Sequence, residues 1–173
     1  RAAARYWQAV AQLIPAELGW PGRETQGATD RFNQALNYGY AVLRSQVRVA
    51  LLLAGLEPNA GFLHADRPGK PSLTLDLIEE FRPVIADSVV LTVVNNHMLE
   101  PDDFEEGEDG GTYLRRRGLR KFLRQFGRRL NTSVEHPEAG RALTYQKVLE
   151  IQARRLRRCI EAGEPEYKPF LAR

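Results

Sequence analysis

Cysteine and methionine are nearly absent from this chain: its 173 residues include one of each, Cys159 and Met98. A single thiol excludes an internal disulfide and any thiolate-rich metal or iron–sulfur centre. It suits a reducing compartment, so the expected location is the cytoplasm. Long apolar runs are also lacking. The most hydrophobic stretch, Val49 to Leu56, falls far short of the ~20 residues a membrane-crossing helix needs. No targeting signal, internal repeat or low-complexity tract is visible. Strong net charge is missing too. Lys and Arg total 25 against 22 Asp and Glu, leaving +3, so any affinity for nucleic acid must come from how charge is distributed. The length suits a single domain, residues 1–173.

What is present is helical periodicity. Residues 1–15 read as a helix in which Tyr6, Trp7, Val10, Leu13 and Ile14 recur at helical spacing before Pro15. This helix begins inside its own pattern, without a capping residue, and is expected to be cut within a longer one. Residues 29–55 form the long core helix. Thr29 or Asp30 can cap it, Phe32, Leu36, Tyr40, Leu43, Val47 and Leu51 line it, and Gly55 suits its exit. Asn33 and Asn37 are expected to make hydrogen bonds within the core. Val89 to Met98 has helical spacing but also good strand composition; helix is preferred because its surroundings are helical. Residues 100–111 form an acidic loop that lacks the ordered ligand spacing of a calcium site and is expected to be solvated. The tail, 163–173, is expected to lie extended over the surface.

Chemistry concentrates in residues 56–83, a Gly/Pro-rich loop carrying His64 followed by a short helix. On a helical wheel Leu73, Leu77, Ile78 and Phe81 share one arc, and Asp76, Glu79 and Glu80 are expected on the other. Asp76 and Glu79, three apart, are surface neighbours. An imidazole facing paired carboxylates can hold a hard divalent cation with an open coordination position. The alternative is ordinary: a loop histidine and a solvated acidic face.

Residues 112–162 reverse the charge. Arg115, Arg116, Arg117, Arg120, Lys121, Arg124, Arg128 and Arg129 surround the apolar Leu119, Phe122, Leu123, Phe126 and Leu130, which makes the segment after Gly118 an amphipathic basic helix. Thr144 can cap a last helix bearing Arg154, Arg155, Arg157 and Arg158. Guanidinium groups at this density suit phosphate oxygens, and they suit a solvated face balanced by the acidic loop equally well.

Three blocks in order, L-N-Y-G-Y-A-V-L from Leu36, A-G-L-E-P-N-A-G-F-L-H from Ala54 and S-L-T-L-D-L-I-E-E-F-R-P from Ser72, resemble the CRISPR-associated endonuclease/integrase family, the adaptation protein "Cas one". P-D-D-F at Pro101, H-P at His136 and Y-K-P-F at Tyr167 fit as well. The resemblance implies an all-α, compact multi-helix domain, the C-terminal lobe of a larger protein whose N-terminal β-domain has no counterpart here. It implies metal-dependent insertion of spacer DNA into the CRISPR repeat array by strand transfer, with Mg²⁺ or Mn²⁺. His64 and Glu79 would be catalytic metal ligands, with Asp76 as support or alternative ligand. Lys70 and Arg82 would hold phosphate near the metal, and Arg115, Arg116, Arg120, Lys121 and Arg124 would contact the DNA backbone. A further glutamate ligand of the family would fall two places before Arg1, so the chain alone is expected to fold yet bind metal weakly and be inactive or nearly so. Implied partners are double-stranded DNA (spacer precursor and repeat), a second copy in a homodimer and the small ferredoxin-like protein "Cas two". A non-catalytic helical DNA-binding module, regulator-like, is the competing reading; it explains the basic helices but not the grouping of His64, Asp76 and Glu79.

Overall fold

Where the sequence repeats its apolar residues every three or four positions, the chain is helical. The computed structural model describes residues 2–25, 28–61, 70–137, 139–163 and 166–172. Its helices are α1 (Ala2–Ala11), α2 (Arg31–Leu53), α3 (Ser72–Ile78), α4 (Ser88–Asn95), α5 (Arg116–Leu130) and α6 (Tyr145–Ala162). Two short antiparallel hairpins interrupt them, β1 (Phe104–Glu106) with β2 (Thr112–Leu114), and β3 (Ser133–His136) with β4 (Arg141–Thr144). No helix among the described residues is long and apolar enough to cross a membrane.

The chain divides into two compact units, Arg1–Gly39 with Ala86–Gly127, and Tyr40–Ile85 with Arg128–Arg173. In the first, the α2 start is fixed by Asp30, whose Oδ1 accepts the Asn33 N–H at 2.8 Å. Asn33 is fully buried and donates to the Gly22 carbonyl at 2.7 Å, while Asn37 Oδ1 accepts from Arg23 at 2.7 Å. Both asparagines therefore hold the 19–25 loop, as expected of core hydrogen-bonding groups. Trp7, Trp20 and Phe32 pack in sequence, tilted and then edge-to-face, at 5.9 and 5.5 Å between centroids. The α1 helix stops at Ala11, short of the expected 1–15 span; residues 12–14 tighten into i→i+3 turns ahead of Pro15, and Leu13 is exposed. The valine-rich segment is α4, with Val89, Val90 and Val93 buried.

Residues 100–111 are more ordered than a solvated loop. Pro101–Asp103 makes a 3₁₀ turn with a capping box between Glu100 and Asp103, and β1 follows. Gly118 lies inside α5, not ahead of it: a Cβ there would meet the Asp103 carbonyl oxygen at 2.7 Å, so only glycine lets the helix approach this backbone.

In the second unit, the end of α2 is a Schellman turn. Leu56 N–H reaches the Leu51 carbonyl at 3.0 Å, and Gly55 takes φ 75°. Leu73, Leu77, Ile78, Phe81 and Ile85 are buried, as are Val148, Leu149, Ala153 and Leu156 of α6. Thr144 caps α6 through Oγ1, which accepts the Lys147 N–H at 3.3 Å. The 133–144 stretch is a hairpin, turned by Pro137 and by Gly140 at φ 59°. The tail does not simply trail over the surface: Phe170 is 5% exposed and stacks on Phe81 at 6.1 Å.

Candidate active site

The acidic helix α3 is seven residues long and buries Ser72, Leu73, Thr74, Leu77 and Ile78. Burial of these side chains, rather than intrinsic propensity, holds so short a helix together. Residues 79–81 leave it as a turn, and Arg82–Asp87 winds as a π-helix into α4. Pro83 sits in that wider winding, a backbone geometry that often marks functional sites.

The wheel positions separate the three carboxylates. Asp76 is half-buried, three residues before Glu79. Glu79 is exposed, its side chain 53% accessible, and its Oε1 accepts from Arg82 Nη1 at 2.7 Å. Arg82 lies over the Tyr40 ring at 4.2 Å, a cation–π contact that fixes its guanidinium. Glu80 does not share the solvated arc. At 3.6 residues per turn it falls within about 20° of Leu73, beside the apolar arc, and it turns inward. Its Oε1 accepts from the Tyr167 hydroxyl at 2.6 Å, and its Oε2 accepts from the Phe170 N–H at 2.7 Å and Gln152 Nε2 at 3.0 Å. Burial pushes the Glu80 carboxyl above its ordinary pKa, opposed by these three donors and by the charge of Arg155. Burial likewise raises the Tyr167 phenol, reinforced by the adjacent Glu80.

Lys70 is half-buried just ahead of α3, and its carbonyl accepts the Ser72 N–H at 2.8 Å. His64 lies outside the described residues. Among those described, no group of three metal-ligating side chains forms.

The basic residues from Arg115 to Arg124 fall in the other unit and divide by environment. Lys121 Nζ and Arg117 Nε both donate to the enclosed Asp103 at 2.7 Å. Arg115 Nε donates to the Phe104 carbonyl at 3.0 Å and lies 3.6 Å from Glu105. Arg116, Arg120 and Arg124 are exposed at successive turns of α5 and have no carboxylate partner among the described residues. Sequence reasoning missed Glu80, Gln152 and Tyr167 as a linked group. The signal for it was Glu80's place beside Leu73 together with the Y-K-P-F stretch.

Comparison with known proteins adds three likenesses. A CRISPR-associated endonuclease Cas1 of Thermus thermophilus is 43% identical over 173 residues, which is 100% of this chain and 52% of that protein. The solved structure of a casposase bound to integration product superposes with a TM-score of 0.86 at 30% identity, covering 95% of this chain and 46% of that one. A partial Cas6-RT-Cas1–Cas2 complex matches with a TM-score of 0.80 at 21% identity, covering 96% of this chain and 49% of that one, a likeness of fold. The chain spans about half the length of the curated Thermus relatives it matches. The family profile described as CRISPR associated protein Cas1 matches residues 1–128, so this chain belongs to the Cas1 family.

Proposed function

We propose that the chain forms the helical part of a metal-dependent DNA endonuclease/integrase that inserts spacer DNA into a CRISPR repeat array. The observation that carries this reading is the likeness to a casposase bound to integration product, at 30% identity over 95% of the chain. The donor chemistry of α3 fits a hard divalent cation, Mg²⁺ or Mn²⁺. Asp76 and Glu79 offer oxygen donors one helical turn apart, and Glu79 is accessible to solvent. Glu79 and His64 would hold the cation, with Asp76 in support; the Arg82 contact uses only Oε1 of Glu79. When bound, the cation supplies electrostatic stabilisation of charge developing on the attacked phosphodiester. Arg82, held by Tyr40, and Lys70 are suited to orient phosphate oxygens beside it.

The reaction is a transesterification. A spacer 3′-hydroxyl attacks a repeat phosphodiester, one P–O bond forms as another breaks, and the departing 3′-oxygen takes up a proton. Double-stranded DNA is the substrate, and Arg116, Arg120 and Arg124 suit its backbone. A homodimer joined by the ferredoxin-like Cas2 is the proposed assembly, located in the cytoplasm. The test incubates the full-length protein and Cas2 with a short duplex and a repeat-containing duplex in Mn²⁺ or Mg²⁺. Joined strands that disappear on chelation are the expected result; no joining in either metal would refute the proposal.

A further inference from the structure

A carboxylate removed from water is costly unless hydrogen-bonded, and Glu80 is engaged on both oxygens. Its donors come from two places far away in sequence, α6 and the tail. Gln152 binds the pieces to one another: its Nε2 also donates to the Tyr167 hydroxyl at 2.8 Å and to the Lys168 carbonyl at 3.3 Å. One residue further along, Phe81 is fully buried and stacks on Phe170, the two rings 13° from parallel. Phe170 also packs against His136 at 5.8 Å and Tyr145 at 6.3 Å. The tail is thus fastened to residues 80 and 81 twice, by directed hydrogen bonds at Glu80 and by ring packing at Phe81.

Glu79 is the preceding residue and points the other way, to solvent. Glu79 ends α3 in helical conformation (φ −58°, ψ −34°), and one backbone bond, from the Phe81 N–H to the Ile78 carbonyl at 2.9 Å, closes the turn before the π-helix begins at Arg82. The contacts made by residues 80 and 81 therefore help to set where Glu79 points. An apolar side chain at position 80 would hold the tail by packing alone. A carboxylate whose two oxygens each meet directed donors also fixes the rotation of the turn, a gain in specificity rather than in stability.

We propose that the tail segment Tyr167–Phe170 is a strap that sets, through Glu80, the turn from which Glu79 projects, making Glu80 and Tyr167 positioning residues for the cation site. This rests on the reading of Glu79 as a cation ligand. The strap acts on the free protein, so part of its effect is readable without metal.

The experiment uses the full-length protein and Mn²⁺ as probe. Tyr167→Phe removes one hydroxyl and leaves the ring. It should weaken Mn²⁺ affinity measured by calorimetry roughly tenfold, as loss of a supporting group behind a ligand does. In metal-free protein it should also speed hydrogen exchange of the amides of residues 79–82. Glu80→Gln, which can still accept from Phe170 and Gln152, should lose less affinity than Glu80→Ala. In a Glu79→Ala background Tyr167→Phe should change Mn²⁺ affinity by less than about twofold, because nothing remains to be positioned. Unchanged affinity and exchange in Tyr167→Phe, or an equal loss with and without Glu79, would overturn the proposal and leave the tail a packing element. If Glu79→Ala alone keeps full Mn²⁺ affinity, Glu79 is not a ligand and the strap falls with it, whereas the integrase reading is decided separately by the joining assay.

Discussion

Two carboxylates, the buried Asp103 and the half-buried Glu80, have opposite electrostatics because their partners differ. Glu80 is met mainly by neutral donors, and burial wins, raising its pKa. Asp103, fully inaccessible, is met by two cations. Burial alone would raise its carboxyl. The Glu100 N–H, Lys121 and Arg117 reverse that and hold it at about 2, against an ordinary 3.8. A depressed acid contributes stability that is complete above its unfolded value and is lost as pH falls through the folded one. Asp103→Asn should therefore lower stability at neutral pH by about 1–3 kcal/mol. The gap between variant and parent should narrow as pH is taken from about 4 towards 2. Denaturant melts of both proteins across that range check it, and a gap that stays constant would mean that Asp103 is not titrating against Lys121 and Arg117.

At the scale of elements, α5 is not uniformly basic in effect. Arg117 and Lys121 are committed to Asp103, and Arg129 to the Val84 carbonyl at 2.7 Å and the Tyr145 ring at 4.6 Å. Arg116, Arg120 and Arg124 remain exposed, rising about 6 Å per step along the axis. Neutralising these three in the full-length protein should flatten the salt dependence of DNA binding by about 0.9 per lost phosphate contact. Neutralising Lys121 with Arg117 should instead lower the melting temperature. A salt slope untouched by the triple substitution would mean that this face of α5 does not meet DNA. The helices were readable in the sequence because each buries a stripe of its own, as Phe32, Leu36, Leu43, Val47 and Leu51 do on α2. The division of the arginines was not, since Asp103 reaches Arg117 and Lys121 only after the 3₁₀ turn and β1 bring the acidic segment back to α5. The inward turn of Glu80 and the docking of Phe170 were hidden for the same reason: their partners lie 72 to 90 residues away. The Pro137–Gly140 hairpin, by contrast, is written locally in its turn residues.

At the scale of the whole molecule, the groups proposed to grip DNA and those proposed for the chemistry belong to different units. Arg116, Arg120 and Arg124 lie in the unit that includes Ala86–Gly127, whereas Asp76, Glu79 and Arg82 lie in the one that includes Tyr40–Ile85. Backbone affinity comes from released counterions and needs no divalent cation, whereas strand transfer needs charge stabilised at one phosphorus. Substitutions in the two sets should therefore separate in the full-length protein assembled with Cas2. Glu79→Ala and His64→Ala should each abolish Mn²⁺-dependent joining while leaving DNA affinity in chelator within about twofold of the parent, since neither removes a phosphate-binding cation. The Arg116, Arg120 and Arg124 triple variant should do the reverse, weakening binding while retaining joining at saturating DNA. Paired measurements on the same preparations, equilibrium binding in chelator and single-turnover joining in Mn²⁺, read both quantities. Joining by His64→Ala at the parental rate in saturating Mn²⁺ would remove His64 from the site. A Glu79→Ala protein that lost DNA binding in chelator would show instead that the carboxylate helix acts by shaping the DNA surface, and the division between grip and chemistry would be wrong.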